Sequence, residues 1–148
     1  MVLVTVSRSI AAPADIVFRS FADVEALPDI HPDVVRVAFD GGTECQVGMT
    51  FTETRRMGKR EMQTHLEVTE LTPGRSARMV ADSHGTTWDT TFQVTDEGAT
   101  VRLDYAMEAR AHKLLPKILN PIMKGLFRKG LVTHMDHVQA WCERVAAD

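Results

Sequence analysis

The chain has 148 residues, the length of one ordinary domain. Apolar residues make up 44% and charged residues 25%, which is globular usage and excludes a disordered chain. A net charge of −3 argues against wholesale nucleic-acid binding, which calls for a basic domain.

Cys45 and Cys142 stand far apart and fit no metal-ligand spacing, so they read as reduced thiols of a cytoplasmic protein. The opening MVLVTVSRSIAAP has no basic n-region and no long apolar run, so it does not read as a signal peptide. No uninterrupted apolar stretch approaches the ~18 residues a membrane-spanning helix needs. No internal repeat, low-complexity segment or linker divides residues 1–148.

In chain order, Val2, Val4 and Val6 alternate with Leu3, Thr5 and Ser7 and predict a first strand. AAPADIVFRSFADVEALPDI then changes period. Pro13 suits a first helical turn, and Ile16, Val17, Ser20 and Phe21 fall at helical spacing. Pro28 and Pro32 interrupt the helical pattern beyond Phe21, so two short helices are expected. From residue 34 the period returns to two. VVRVAFDGG, VGMTFTETRRMG, REMQTHLEVTEL, SARMVADSHG, TTWDTTFQVTDEG and ATVRLDYAMEARA read as consecutive strands joined by Gly or Pro-Gly turns, which should pair antiparallel. Their apolar sets share one face: Met49 and Phe51; Met62, Thr64, Leu66 and Val68; Met79; Trp88, Thr90, Phe92 and Val94; Val101, Leu103, Tyr105 and Met107. From about Leu114 to Val145 a drifting helical stripe runs through Leu115, Ile118, Leu119, Ile122, Leu126, Gly130, His134, His137, Trp141 and Val145. Pro116 and Pro121 place the start of this helix near one of them, or kink it there.

The predicted fold class is therefore α+β. Six to seven antiparallel strands curve around one long C-terminal helix, with two short helices after the first strand, in a helix-grip. This order of elements resembles the START-like superfamily, and three segments resemble its polyketide cyclase/dehydrase-like family: VTVSRSIAAPADIVFRSFADVEALPDIHPDV at the opening, VGMTFTETRRMGKREMQTHLEVTEL at the central hairpin, and ADSHGTTWDTTFQV after it. The resemblance covers nearly the whole chain. It implies a cavity between sheet and helix that holds a lipid, sterol, polyketide, quinone or hormone, and no cofactor. A curved sheet cannot close tightly on a single helix, so the gap is the default ligand site.

The central hairpin carries an unusual pair. Met49, Phe51, Glu53, Arg55 and Met57 alternate onto one face, so a face that begins apolar carries a glutamate and an arginine. Either the pair sits at a sheet rim or a bulge, or it anchors the polar end of a ligand, Arg55 holding a carboxylate or carbonyl and Glu53 orienting it or acting as a base. Facing inward, the two charges would have to pair. His134 and His137 share the apolar side of the last helix. They are solvent-edge histidines or pocket groups, and a metal would need a third ligand that the sequence does not place. His31, in DIHPD, falls where the second short helix meets the next strand, near the expected mouth. Tyr105 needs a hydroxyl partner if buried. Met49, Met57, Met62, Met79, Met107, Met123 and Met135 supply adaptable apolar lining.

The expected function is binding of a small hydrophobic ligand, with Met49, Phe51, Glu53, Arg55, Met62, Thr64, Met79, Trp88, Thr90, Phe92, Tyr105, Met107, Met123, Leu126, His134 and His137 around it. Two alternatives stand. One is a polyketide aromatase/cyclase or dehydratase that uses Glu53, Arg55, His134 or Tyr105 as acid/base groups. The other is a protein or membrane module using the basic stripe Lys113, Lys117, Lys124 and Arg128 in transient contact with an anionic surface. A monomer or homodimer is consistent with all three, and no metal is expected.

Overall fold

A computed structural model describes residues 1–148. Seven strands form one antiparallel sheet in the order β1-β7-β6-β5-β4-β3-β2, with β1 at Val2–Ile10, β2 at Val34–Phe39, β3 at Thr50–Met57, β4 at Arg60–Thr72, β5 at Ser76–Ser83, β6 at Thr86–Asp96 and β7 at Val101–Ala111. All neighbours but β1 and β7 are consecutive in the chain, and short turns join them except at the 40–49 loop between β2 and β3. Two of these turns show why. His84 and Gly85 form the β5–β6 turn with φ of 52° and 81°, and a side chain at Gly85 would also strike Lys113 at 2.8 Å. Pro73–Gly74 joins β4 to β5, with Pro fixing one φ and Gly74 supplying the other at 76°.

Helices α1 (Ala14–Ala22) and α2 (Leu27–Ile30), separated by a 3₁₀ turn at Val24–Ala26, bridge β1 to β2. Pro13 precedes α1 and its carbonyl accepts the Ile16 and Val17 amides. The expected C-terminal helix is divided in two: α3 at Leu114–Ile122 and α4 at Lys124–Ala147. Pro116 is accommodated in the first turn of α3. Pro121 has no N–H to donate, Gly125 is a poor helix former, and between them Met123 leaves the helical region at φ −88°, ψ 4°. The Met123 amide tightens the last turn by bonding both Leu119 and Asn120 carbonyls. The chain kinks there, just past the second proline.

Helix α4 runs along β1. Arg8 pairs with Asp136 at 2.8 Å, Gln139 donates to the Ser9 carbonyl, and Glu143 accepts the Ala11 amide. Its buried side is Leu131, Met135, Val138, Trp141 and Cys142. The main core gathers that side with α1, α2 and the inner sheet face, including Phe21, Phe51, Val68, Met79, Phe92 and Leu103. A smaller apolar cluster of Val2, Val4, Ala109 and Leu131 lies at the other end, with Trp88, Met107 and Phe127 packed on it.

The apolar stripe expected to be core at the start of this segment is not buried. Leu114, Leu115, Ile118, Ile122 and Leu126 are 56–74% exposed, and Met123 is 37% exposed. Asn120 is the only buried residue of α3, and its Nδ2 donates to Thr86 Oγ1 at 3.0 Å. That buried polar bond fixes which side of α3 faces the protein, so the leucines face away.

Candidate functional site

Register decides where the central charges point. The β3–β4 ladder runs unbroken from Thr50–Glu67 to Met57–Arg60, so β3 does not slip. Glu53 lies opposite Thr64 and Arg55 opposite Met62, on the face shared with Phe51 and Leu66. On the other side a bulge in β2 between Val34 and Arg36 restores the parity, so Val34 and Val37 flank Arg55 and Glu53 on the same face. Both charges therefore face inward. Arg55 Nε donates to Glu53 Oε1 at 3.0 Å, and the two side chains are 28% and 17% exposed. The terminal nitrogens of Arg55 make no hydrogen bond to protein.

The inner face differs from end to end. Phe51, Val68, Met79, Phe92, Val94 and Leu103, toward α1, are buried. Glu53, Arg55, Thr64, Leu66, Trp88, Thr90, Tyr105 and Met107 lie on the same face toward α3 and are only half-buried. Tyr105 and His134 are deep enough for burial to dominate their acidity, yet both retain accessible surface. This half-buried stretch of the inner sheet face, beside the first half of α4, is the candidate site.

A chain of rings runs from the core into it. Phe21 stacks on Phe92 at 4.6 Å, Phe92 meets Tyr105 edge-on at 4.6 Å, and Tyr105 meets His134 edge-on at 5.1 Å. His134 stacks on His31 at 4.1 Å, and His137 meets His31 edge-on at 5.8 Å. Arg55 lies close enough to lower the proton affinity of both His31 and His134, and Glu53 acts on Tyr105. The fold thus brings Glu53, Arg55, Tyr105, His31, His134 and His137 together.

The electrostatics follow from burial. Desolvation, then Arg55 and His137, drive His31 down to about 3. Desolvation, then His31 and Arg55, hold His134 well below the ordinary histidine value. Burial, reinforced by Glu53 and opposed by Arg55 and the Thr90 hydroxyl, pushes Tyr105 up to about 12. Both imidazoles and the phenol are therefore neutral at pH 7. His31 is 1% exposed and neither of its ring nitrogens has a partner. The histidine rings meet face-on and edge-on, and no group of His, Cys, Asp or Glu is arranged to hold a metal.

Several expected positions move. Met49, Phe51, Met79 and Phe92 are buried in the packed core. Met62 is at the rim, 36% exposed. Met123 and Leu126 lie on the outer surface of the α3–α4 junction, because the Asn120 bond turns that side outward. His31, expected near the mouth with a gating or ligand role, is buried against His134. Its only local signal is a polar ring between two prolines. Two surface concavities, of about 280 and 360 Å³, lie elsewhere. The first, on the outer sheet face, is bordered by an ion network in which Asp89 accepts from Arg78 and Arg110. The second follows the loop from Asp40 to Thr50. Neither touches the histidine cluster.

Residues 1–143 match the model of a family described as polyketide cyclase/dehydrase and lipid transport. The chain belongs to that family. No curated protein matches it in sequence. Among solved structures, this family member is similar to TTHA0849 from Thermus thermophilus, with TM-score 0.77, 14% identity, and coverage of 97% of this chain and 99% of that one. It is similar to Ara h 8.0201, with TM-score 0.72, 8% identity and coverage of 95% and 96%. It is also similar to norcoclaurine synthase from Thalictrum flavum, solved with dopamine and hydroxybenzaldehyde, with TM-score 0.70, 16% identity and coverage of 93% and 84%. At these identities the likeness establishes the helix-grip fold.

Proposed function

We propose that this polyketide cyclase/dehydrase and lipid-transport family member binds a small hydrophobic molecule in the cleft between sheet and α4. The carrying observation is that Tyr105 and His134, though desolvated, are only half-buried, beside a sheet face that is half-buried from Glu53 to Met107. Trp88, Met107, Leu66 and Phe127 offer apolar walls, and the free terminal nitrogens of Arg55 offer a polar anchor, positioned by Glu53. The solved neighbour complexed with dopamine and hydroxybenzaldehyde supports the reading by analogy only. Native mass spectrometry of protein purified from its own host is the test. A co-purifying apolar molecule is expected, and Arg55→Ala should lose it. Retention of that molecule by both Arg55→Ala and Glu53→Gln would remove the anchor from the proposal.

A second reading is acid/base chemistry on a polyketide-like substrate in the same cleft. What favours it is His31, a buried ring with two unpartnered nitrogens beside His134, Tyr105 and Arg55. Turnover of a poly-β-ketone substrate, followed by absorbance of an aromatic product and lost in His31→Phe, distinguishes it from binding alone.

A further inference from the structure

We infer that α3 is a docking element for an anionic lipid bilayer. Its apolar residues occupy a coherent arc. At about 100° per residue, Leu114, Leu115, Ile118, Leu119 and Ile122 span roughly 140° of the helix surface. Apart from Leu119, at 40%, each is more than half exposed, which is unusual for so many large apolar side chains on one short segment.

The exposure is built in. Asn120, on the opposite side, is buried and bonded to Thr86, and the His112 amide is held by the Gly85 carbonyl at 2.8 Å. Rolling α3 to bury its leucines would leave Asn120 and Thr86 unpaired. The arc therefore needs an external partner or remains wet.

Charge selects the partner. No acidic residue occurs between Glu108 and Asp136, whereas Lys113, Lys117, Lys124, Arg128 and Lys129 are all exposed and none makes an ion pair. The whole chain carries −3, so this basic segment stands against the overall sign. A second copy docked face to face here would bring two sets of these cations together. An anionic bilayer satisfies both features: the arc enters the headgroup boundary, and the lysines and arginine meet lipid phosphates.

The test is flotation with vesicles of phosphatidylcholine alone or with about 30% phosphatidylglycerol, at low and high salt. The protein should float with the anionic vesicles at low salt, and binding should fall at least tenfold in about 0.5 M NaCl. At about fivefold per basic group near the surface, Lys117→Glu with Lys124→Glu should weaken it by at least ~25-fold. Ile118→Ser with Ile122→Ser should abolish flotation without lowering the thermal midpoint, since both residues are exposed. Failure of the wild type to float on anionic vesicles overturns the inference, as does undiminished flotation of the serine pair. So does light scattering that finds a dimer dissociated by the serine pair. Uptake of an apolar fluorescent probe into the cleft, measured on the same variants, reports separately on the ligand reading and should not change.

Discussion

Replacing His31 tests the interior directly. Its ring is 1% exposed and both nitrogens lack partners. A buried polar group left unsatisfied costs about 1–3 kcal/mol. Phe is close in size and keeps the stack on His134, so His31→Phe should stabilise the protein by about 1–2 kcal/mol at pH 7.5, or roughly 2–8 °C in Tm for a chain of this size. The pH dependence gives a second handle. His31 has a folded value of about 3 against an ordinary 6.5. Between those values the unfolded chain binds a proton that the folded one does not. Stability is therefore complete above 6.5 and falls as pH drops toward 3, by about 1.4 kcal/mol per unit. At pH 5 the His31 contribution is a loss of about 2 kcal/mol. His134 shifts in the same direction, and the charged or titratable groups facing the pair are Arg55 and Glu53 from β3, Tyr105 from β7 and His137 from α4. Urea unfolding at pH 7.5 and 5.0 should show a wild type that loses more stability than His31→Phe, with about 2 kcal/mol between them. His31→Leu guards against overpacking by the larger ring. If both variants are less stable at pH 7.5 and keep the wild-type pH slope, the unpartnered-histidine reasoning is wrong.

Three further outcomes rest on named contacts. Arg55→Ala should weaken binding of dodecanoate by tenfold or more, the value of one charge-assisted bond of about 1.5–3 kcal/mol, and leave dodecanol nearly unchanged in titration calorimetry; equal losses for the two probes contradict a polar anchor. Asn120→Ala removes the only buried side chain of α3 and should cost about 1–2 kcal/mol, with hydrogen exchange accelerated across Leu114–Ile122 and unchanged in β6. On the outer sheet face, Arg78 and then Arg110 hold the Asp89 carboxyl below its ordinary value, so its stabilisation is present above about pH 4 and lost as pH falls below it. Asp89→Asn should therefore be less stable than wild type at pH 7 by about 1–2 kcal/mol, discounted because both arginines are more than a third exposed, and the difference should shrink at pH 3 in urea titrations.

Much of the fold was legible because strand alternation is a local signal. Trp88, Thr90 and Phe92 do lie opposite Ala109, Met107 and Tyr105 on one face, and the His-Gly and Pro-Gly turns follow from φ. The inward direction of Glu53 and Arg55 was legible for the same reason, since they share parity with Phe51. What periodicity cannot report is which side of an amphipathic helix faces the protein. Leu115, Ile118 and Ile122 read as core, and one long-range bond, Asn120 to Thr86, reverses them. The meeting of His31 with His134 was hidden in the same way. It depends on α2 and α4 converging across the sheet, a contact no local pattern encodes.

The acidities of the cluster bear on what it does. A general acid or base works best when its pKa lies near the operating pH. His31 at about 3 and Tyr105 at about 12 sit far on either side of neutrality, and His134 is depressed like its partner. The imidazoles are therefore weak bases and the phenol a weak acid, all three neutral, so they are better suited to hydrogen bonding than to proton transfer. Binding is accordingly the stronger reading of the cleft. An anionic ligand group seated on Arg55 would change this. It would offset the arginine charge that depresses both histidines and draw their pKa values upward. Binding of dodecanoate should then take up a fractional proton, visible as a dependence of calorimetric enthalpy on buffer ionisation near pH 6, and that uptake should vanish in a His31→Phe/His134→Phe double variant. Uptake that persists in the double variant would place the titrating group outside the cluster.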